Sequence, residues 1–436
     1  MQRSTTPTVA VALQDGFYSC GTGAGRSNRA FLQTLIPKLL PAVRLVVLPI
    51  RLVQAGSEYN SGWHYQMHDL IHRAGGQVLP IDNGTAGHRR FGGLKAFRHA
   101  CASAANAIHR HLLPSAGPLL LITFDCPFYG LADALTANAR SSLVAVARST
   151  AALHDPGDTP RIEWERKGMH QLVAAGGRIA AISTHMRTHL STEYRIPETA
   201  ILDLPNGLTA EDWQHIPAPD TRLLPPAARS GFILSMGRAV PYKGFDDLLD
   251  ALTLLRTRGT HLPHTVLAAV TDDPALSPYQ QHLAQQINVR KLNATFLPRF
   301  NPALRSVLTH PALAAVVVPS RVEPFGRIPL EAFVAGAAPV VATTAGGLAE
   351  LVTERTGYTA TPGDPASLAT AIARALAADT TQRARLRAAG RHLAITRYNY
   401  DTTVRRFLHQ MAPWATSPVA AAAEQPILRA ATPPGR

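Results

Sequence analysis

Cysteine is nearly missing from this 436-residue chain. The three present, Cys20, Cys101 and Cys126, are scattered, odd in number and without metal-ligand spacing. They cannot build a disulfide framework or a zinc site, and they fit a reducing compartment. Long apolar runs are absent as well, since none approaches the ~18–20 residues that a membrane span needs. The opening stretch, MQRSTTPTVAVALQDG, has too short an apolar segment for a secretory signal. The expected location is the cytoplasm. Lysine is scarce: of 43 basic residues only Lys38, Lys95, Lys167, Lys243 and Lys291 are lysine, so 38 are arginine. The formal net charge of +14 is thus carried by arginines spread among abundant alanine and proline, in the manner of a GC-rich coding sequence. No RNA- or DNA-binding signature accompanies the charge, so nucleic acid is not an expected partner.

What is present describes a well-cored globular protein, 46% apolar and 17% charged. Its length exceeds one compact core and fits two domains of roughly 200 residues each. Apolar, β-branched runs recur at 9–13, 43–50, 76–81, 119–124, 142–147, 178–183 and 201–207, most of them separated by helix-length segments such as 27–40, 94–113 and 161–175. A second series follows at 232–237, 265–270, 294–298, 314–320 and 338–343. Strands alternating with helices imply parallel, doubly wound sheets with right-handed crossovers. The proline-rich stretch 211–230 reads as a linker, and the Ala/Pro-rich end from about 416 reads as a disordered tail. Two such domains place a cleft at the carboxyl ends of their strands, and the chemistry belongs in the loops there.

Three loops in the second half carry unusual residues. In GRAVPYKGFDDLLDALTLL (237–255), Arg238 follows a strand end at once, and Lys243-Gly244 opens a helix whose Leu248, Leu249, Leu252 and Leu255 share one face. Two cations beside a helix N-terminus suit a diphosphate, because free N–H groups and the helix dipole already favour an anion there. Solvated surface cations are the plainer reading. In SRVEPFGRIPLEAFVAGAAPVV (320–341), Glu323 lies in the loop after a buried strand and Glu331 sits about one turn into the following helix. Between them the N–H groups of Phe325, Gly326, Arg327 and Ile328 face outward from the helix start. Two carboxylates would repel phosphate, but they suit the vicinal hydroxyls of ribose and of a sugar ring. The simpler account makes Glu331 a partner of the helix dipole and Glu323 a surface charge. The third loop is the glycine turn AGG at 345–347. Near the N-terminus, GTGAG (21–25) misplaces the third glycine of a dinucleotide fingerprint, and no acidic residue ends the second strand, which weakens an NAD-dependent reading. Gly23 and Gly25 still allow a loop to close over a phosphate.

In this order and spacing, GR-x4-KG (Gly237, Arg238, Lys243, Gly244), E-x7-E as EPFGRIPLE (Glu323, Glu331) and the AGG loop resemble the retaining GT-B glycosyltransferases of family 4. The resemblance is strongest over 231–355 and runs more loosely through AIS (181–183) and PNG (205–207) to about residue 411. It implies two Rossmann-like α/β domains facing a central cleft: 1–210 for the acceptor, with a helix of about 396–411 returning to it, and 231–395 for the nucleotide sugar. Arg238 and Lys243 would then bind the diphosphate and stabilise its departure. Glu331 would accept from the ribose, and Glu323 from the donor sugar. Residues 325–328 would complete the cradle, Arg299 would lie near the base, and Gly23 near the phosphates. His154 best matches a histidine that approaches the transferred sugar in such enzymes, although a solvated loop histidine is the ordinary alternative.

The implied reaction moves a hexose from a nucleotide sugar, UDP-sugar before others, to a hydroxyl with retention of configuration. It needs no metal and no cofactor. The sequence has no Asp-x-Asp pair after a strand, and Asp272-Asp273-Pro274 reads as a turn. A small specialised metabolite such as an aminocyclitol is the expected acceptor, of the kind met in antibiotic biosynthesis. Open alternatives are a lipid-linked or polysaccharide acceptor and a GT-B nucleotide-sugar epimerase. A phosphorylase would need one of the five lysines for pyridoxal phosphate. The helix at 94–113, with Arg98 and Arg110, reads as an ordinary amphipathic surface helix or as a dock for anionic lipid.

Overall fold

The computed structural model describes residues 5–417 apart from Cys20, Ser57, Pro217, Asp272 and Pro274. The chain forms two compact units, Met1–Asn206 with Tyr400–Arg436, and Gly207–Asn399. Almost all of the expected tail lies outside the described residues, as do Cys20, Asp272 and Pro274 of the sequence arguments.

In the first unit the apolar runs become β1 (Thr6–Leu13), β2 (Arg44–Pro49), β3 (Gln77–Val78), β4 (Ala116–Phe124), β5 (Leu143–Ala147), β6 (Arg178–Ala181) and β7 (Ile201–Asp203). They form one parallel sheet in the order β3-β2-β1-β4-β5-β6-β7. Every residue of β5 is buried, as expected of a parallel strand covered on both faces. The first helix runs Gly23–Leu35, four residues earlier than the apolar pattern alone suggests. Its start is set by the Thr22 hydroxyl, which accepts from the Gly25 N–H. It gives way to a 3-10 turn at Ile36–Lys38, where Pro37 removes a donor. The helix Tyr400–Met411 returns to this unit, with Tyr400 and Phe407 edge-on to Phe31. Buried Arg148, just after β5, bonds Asn28, Asn206 and the Tyr400 hydroxyl. One guanidinium thereby ties down both the residue at which the chain leaves this unit and the residue at which it re-enters.

The second unit holds β8 (Phe232–Arg238), β9 (His264–Val270), β10 (Ala294–Phe296), β11 (Leu313–Val318), β12 (Val340–Thr343) and β13 (Tyr358–Ala360), parallel in the order β10-β9-β8-β11-β12-β13. Leu248, Leu249, Leu252 and Leu255 are all buried, packing their helix into the core with Leu368 and Ile372. The proline-rich stretch 211–230 belongs to this unit. Its segment begins with a helix, Ala210–Gln214, capped reciprocally by Thr209 and Asp212, and continues through two 3-10 turns. Strand order reverses between β8 and β11, so the loops after these two strands are neighbours at the switch point where α/β sheets bind ligands. These are the loops that carry Arg238, Lys243 and Glu323. No helix among the described residues is long and apolar enough to cross a membrane.

Candidate active site

Hydrogen bonds stitch the three loops of the second unit together. After β8, exposed Arg238 donates to the Tyr242 hydroxyl, and a 3-10 turn at Pro241–Lys243 leads to Gly244 in the left-handed region at φ 67°. The Tyr242 carbonyl accepts from the N–H of Arg321 at 2.8 Å and of Val322 at 3.3 Å, tying this loop to the one after β11. Arg321 then grips Asp247 with two bonds of 2.8 and 2.6 Å. The Glu323 carbonyl accepts from the N–H of Gly347 at 2.9 Å, which joins the AGG turn to the other two. Close approach explains the glycines. A Cβ on Gly244 would stand 2.0 Å from the Pro319 carbonyl oxygen, and one on Gly347 would stand 2.5 Å from the Phe325 Cα. Gly244→Ala is expected to cost about 2 kcal/mol through strain and clash. The check is the midpoint of urea unfolding, and an unchanged midpoint would contradict the close approach.

Lys243 Nζ donates to Glu323 Oε2, and the two side chains are only 15% and 14% exposed. The pair brings together two residues that the sequence assigned to different parts of a ligand. The helix Arg327–Ala335 starts after Gly326, which sits at φ 102° and offers no capping side chain. Pro329 lacks an N–H, so the first turn presents its donors at Arg327 and Ile328. Phe325 is buried, edge-on to Tyr398.

Glu331 is 4% exposed, and its Oε1 accepts from Arg327 Nε at 2.7 Å. The Arg327 side chain therefore serves the protein's interior, while its backbone belongs to the helix start. Its Nη1 donates to the Gly207 carbonyl at 3.0 Å, and its Nη2 reaches both oxygens of Asp212 at 3.1 Å. Arg305 pairs with the same carboxylate at 2.9 Å. Burial opposes ionisation of Asp212, but the guanidiniums of Arg327 and Arg305 outweigh it and hold the acid below the usual carboxylate range. Burial likewise opposes the charge on Arg327, and Asp212 and Glu331 reverse the sign. Exposed Arg299 donates to the Asp273 carbonyl at 2.8 Å in the loop after β9.

Gly23 and His154 lie in the first unit. Gly23 is exposed with open space around its Cα, whereas Gly25 is the glycine that packing requires: a Cβ there would lie 2.4 Å from the Asp15 carboxyl. His154 ends the short helix Ala151–His154 after β5. The start of that helix is fixed by wholly buried Glu165, whose Oε2 accepts from the Ala151 N–H at 2.8 Å and from the Tyr194 hydroxyl at 2.7 Å. Among the described residues no three His, Cys, Asp or Glu side chains gather as a metal site.

Related proteins share the fold. Residues 224–393 match the family model described as glycosyl transferases, group 1. A D-inositol 3-phosphate glycosyltransferase of Xylanimonas cellulosilytica is 30% identical over 325 residues, covering 71% of this chain and 72% of the relative. The chain belongs to the group 1 glycosyltransferases. The lipopolysaccharide 1,2-N-acetylglucosaminetransferase of Salmonella typhimurium is 31% identical over 232 residues, 51% of this chain, and the match spans 59% of that relative's length. A D-inositol 3-phosphate glycosyltransferase of Frankia alni matches over 55% of its length. Among solved structures, the sucrose-phosphate synthase of Thermosynechococcus elongatus superposes with a TM-score of 0.71 at 17% identity, covering 94% of this chain and 99% of that one. HepE of Anabaena, in complex with UDP-glucose, gives 0.63 at 18% identity, covering 93% and 99%. At such identities the likeness is one of fold, and the fold is the GT-B class expected from the sequence.

The network of Asp212, Arg305, Arg327 and Glu331 went unread in the sequence of this group 1 chain. The i,i+4 spacing of Arg327 and Glu331 was a visible signal. Asp212, 115 residues before Arg327, gave none.

Proposed function

We infer that the protein transfers a hexose from a nucleotide-diphosphate sugar, UDP-sugar foremost, to a hydroxyl of a small polyol of the cyclitol kind, in the cytoplasm. The inferred transfer proceeds with retention, as in family 4, and uses no metal or cofactor. The observation that carries this reading is the meeting of Lys243 and Glu323 where the loops after β8 and β11 join at the switch point. A cation and a carboxylate placed side by side suit a ligand that is anionic at one end and polyhydroxylated at the other. The inositol phosphate in the relatives' names supports a cyclitol acceptor, and the UDP-glucose bound to HepE supports the donor.

The chemistry asks little covalent work of the protein. The bond from the anomeric carbon to the diphosphate oxygen breaks as the bond to the acceptor oxygen forms, on the same face of the sugar. The acceptor's proton passes to the departing phosphate oxygen. Arg238 and Lys243 stabilise the charge that develops on that diphosphate, and Glu323 orients the sugar through its hydroxyls. Arg299 is assigned to the base, and His154 keeps only the role that the family resemblance implies for it.

Incubation with UDP-glucose, UDP-N-acetylglucosamine or GDP-mannose and a panel of inositols, inositol phosphates and aminocyclitols tests this reading. Mass spectrometry should show one added sugar unit in the presence of EDTA, and the one-bond carbon–proton coupling at the new anomeric centre should match that of the donor. Inversion would remove the retaining assignment. Transfer only to lipid-linked acceptors would replace the cyclitol, and no transfer from any nucleotide sugar would remove the function.

A further inference from the structure

All three nitrogens of the Arg327 guanidinium are committed: Nε to Glu331 at 2.7 Å, Nη1 to the Gly207 carbonyl at 3.0 Å, and Nη2 to Asp212 at 3.1 Å. An exposed i,i+4 ion pair contributes a few tenths of a kcal/mol and fixes nothing. This pair differs in kind, because the Arg327 side chain is 12% exposed and that of Glu331 4%. Asp212 is itself over-determined. It accepts from the Thr209 N–H at 2.8 Å and the Thr209 hydroxyl at 3.1 Å, and it pairs with Arg305 at 2.9 Å. A glutamate left to itself rotates about three torsions. One whose partner is anchored at a backbone carbonyl and a capped carboxylate keeps a single orientation. Lysine could not reproduce the arrangement, because it is a point charge without a planar fork.

We propose that Arg327 is a positioning residue for the nucleotide's ribose: it holds Glu331 in the orientation that accepts from the ribose hydroxyls, and Asp212 with Arg305 holds Arg327. This deepens the proposed function and rests on its assignment of Glu331 to the ribose. The network spends two buried carboxylates and two half-buried guanidiniums on aiming one of those carboxylates, as the outer partners of other binding sites orient the groups that touch the ligand.

The test is calorimetric titration of UDP and 2′,3′-dideoxy-UDP into wild type, Glu331→Gln, Arg327→Met and Arg327→Lys. Wild type should prefer UDP at least tenfold. Glu331→Gln should bring the ratio within threefold. Arg327→Met should do the same while leaving dideoxy-UDP affinity within threefold of wild type, and Arg327→Lys should give an intermediate ratio. A merely structural arginine would weaken both nucleotides alike and leave the ratio unchanged. If Glu331→Gln loses discrimination and Arg327→Met keeps it, the positioning role falls alone. If Glu331→Gln keeps it, or wild type binds neither nucleotide, the ribose assignment falls and this inference with it. Should Arg327→Met fail to fold, Arg327→Lys decides, and a wild-type ratio in that variant overturns the proposal.

Discussion

Asp212→Asn lowers the unfolding free energy of the Gly207–Asn399 unit by about 3–5 kcal/mol at neutral pH, the usual cost of removing one partner from a buried ion network. Two arginines, Arg305 and Arg327, would keep their charges with one carboxylate fewer to share. For a domain of roughly 200 residues this corresponds to a fall in Tm on the order of 10 °C. The sign of the pH dependence follows from the depressed acidity of Asp212. A carboxylate whose folded pKa lies below its unfolded value contributes stability above the unfolded pKa, about 3.9, and loses it as pH falls through the folded value. The gap in Tm between wild type and Asp212→Asn should therefore be constant from pH 8 to about 5 and close below about 4. Scanning calorimetry across that range checks both parts. A gap that widens on acidification would contradict the network.

Lys243→Met lowers kcat by about 10²–10³, the loss that follows removal of one well-placed donor to a developing anion. Without the lysine, the Glu323 carboxylate has lost its ion-pair partner, at the place that the proposed function gives to the diphosphate. Glu323→Gln restores neutrality but gives up the charged acceptor for sugar hydroxyls, so the double variant should recover little. The measurement is the initial rate of nucleoside diphosphate release at varied donor and saturating acceptor. The loss should fall on kcat and on kcat/KM together, because the interaction strengthens as the bond breaks. A loss below tenfold, or one confined to KM, would place Lys243 outside the reaction.

The strands were legible because a parallel sheet covered on both faces needs continuous apolar runs, and VVVPS or TVLAAV admit little else. β13 was missed: three residues, Tyr358–Ala360, are too short to show a pattern. The first helix was placed too late because its start is decided by one hydroxyl, Thr22, rather than by periodicity. Of the candidate site, what was legible is local: Glu323 in the loop after a buried strand and Glu331 in the helix that follows, eight residues on. The site was not legible where the partner is distant. Lys243 meets Glu323 across 80 positions. Arg327 was read for its backbone alone, because its side-chain anchors, Gly207 and Asp212, lie in a stretch whose prolines suggested a linker. GTGAG drew attention to Gly23, yet the glycine constrained by packing is Gly25, and Asp15 imposes that constraint from a loop that sequence alone does not fold back.

The most direct measurement is calorimetric titration of UDP, GDP, dTDP, ADP and NAD in EDTA, on wild type and Glu331→Ala. The account predicts metal-free binding of one nucleoside diphosphate, UDP foremost, weakened at least tenfold by the substitution (about 1.4 kcal/mol). Binding of NAD alone, or of none of the five, would contradict it.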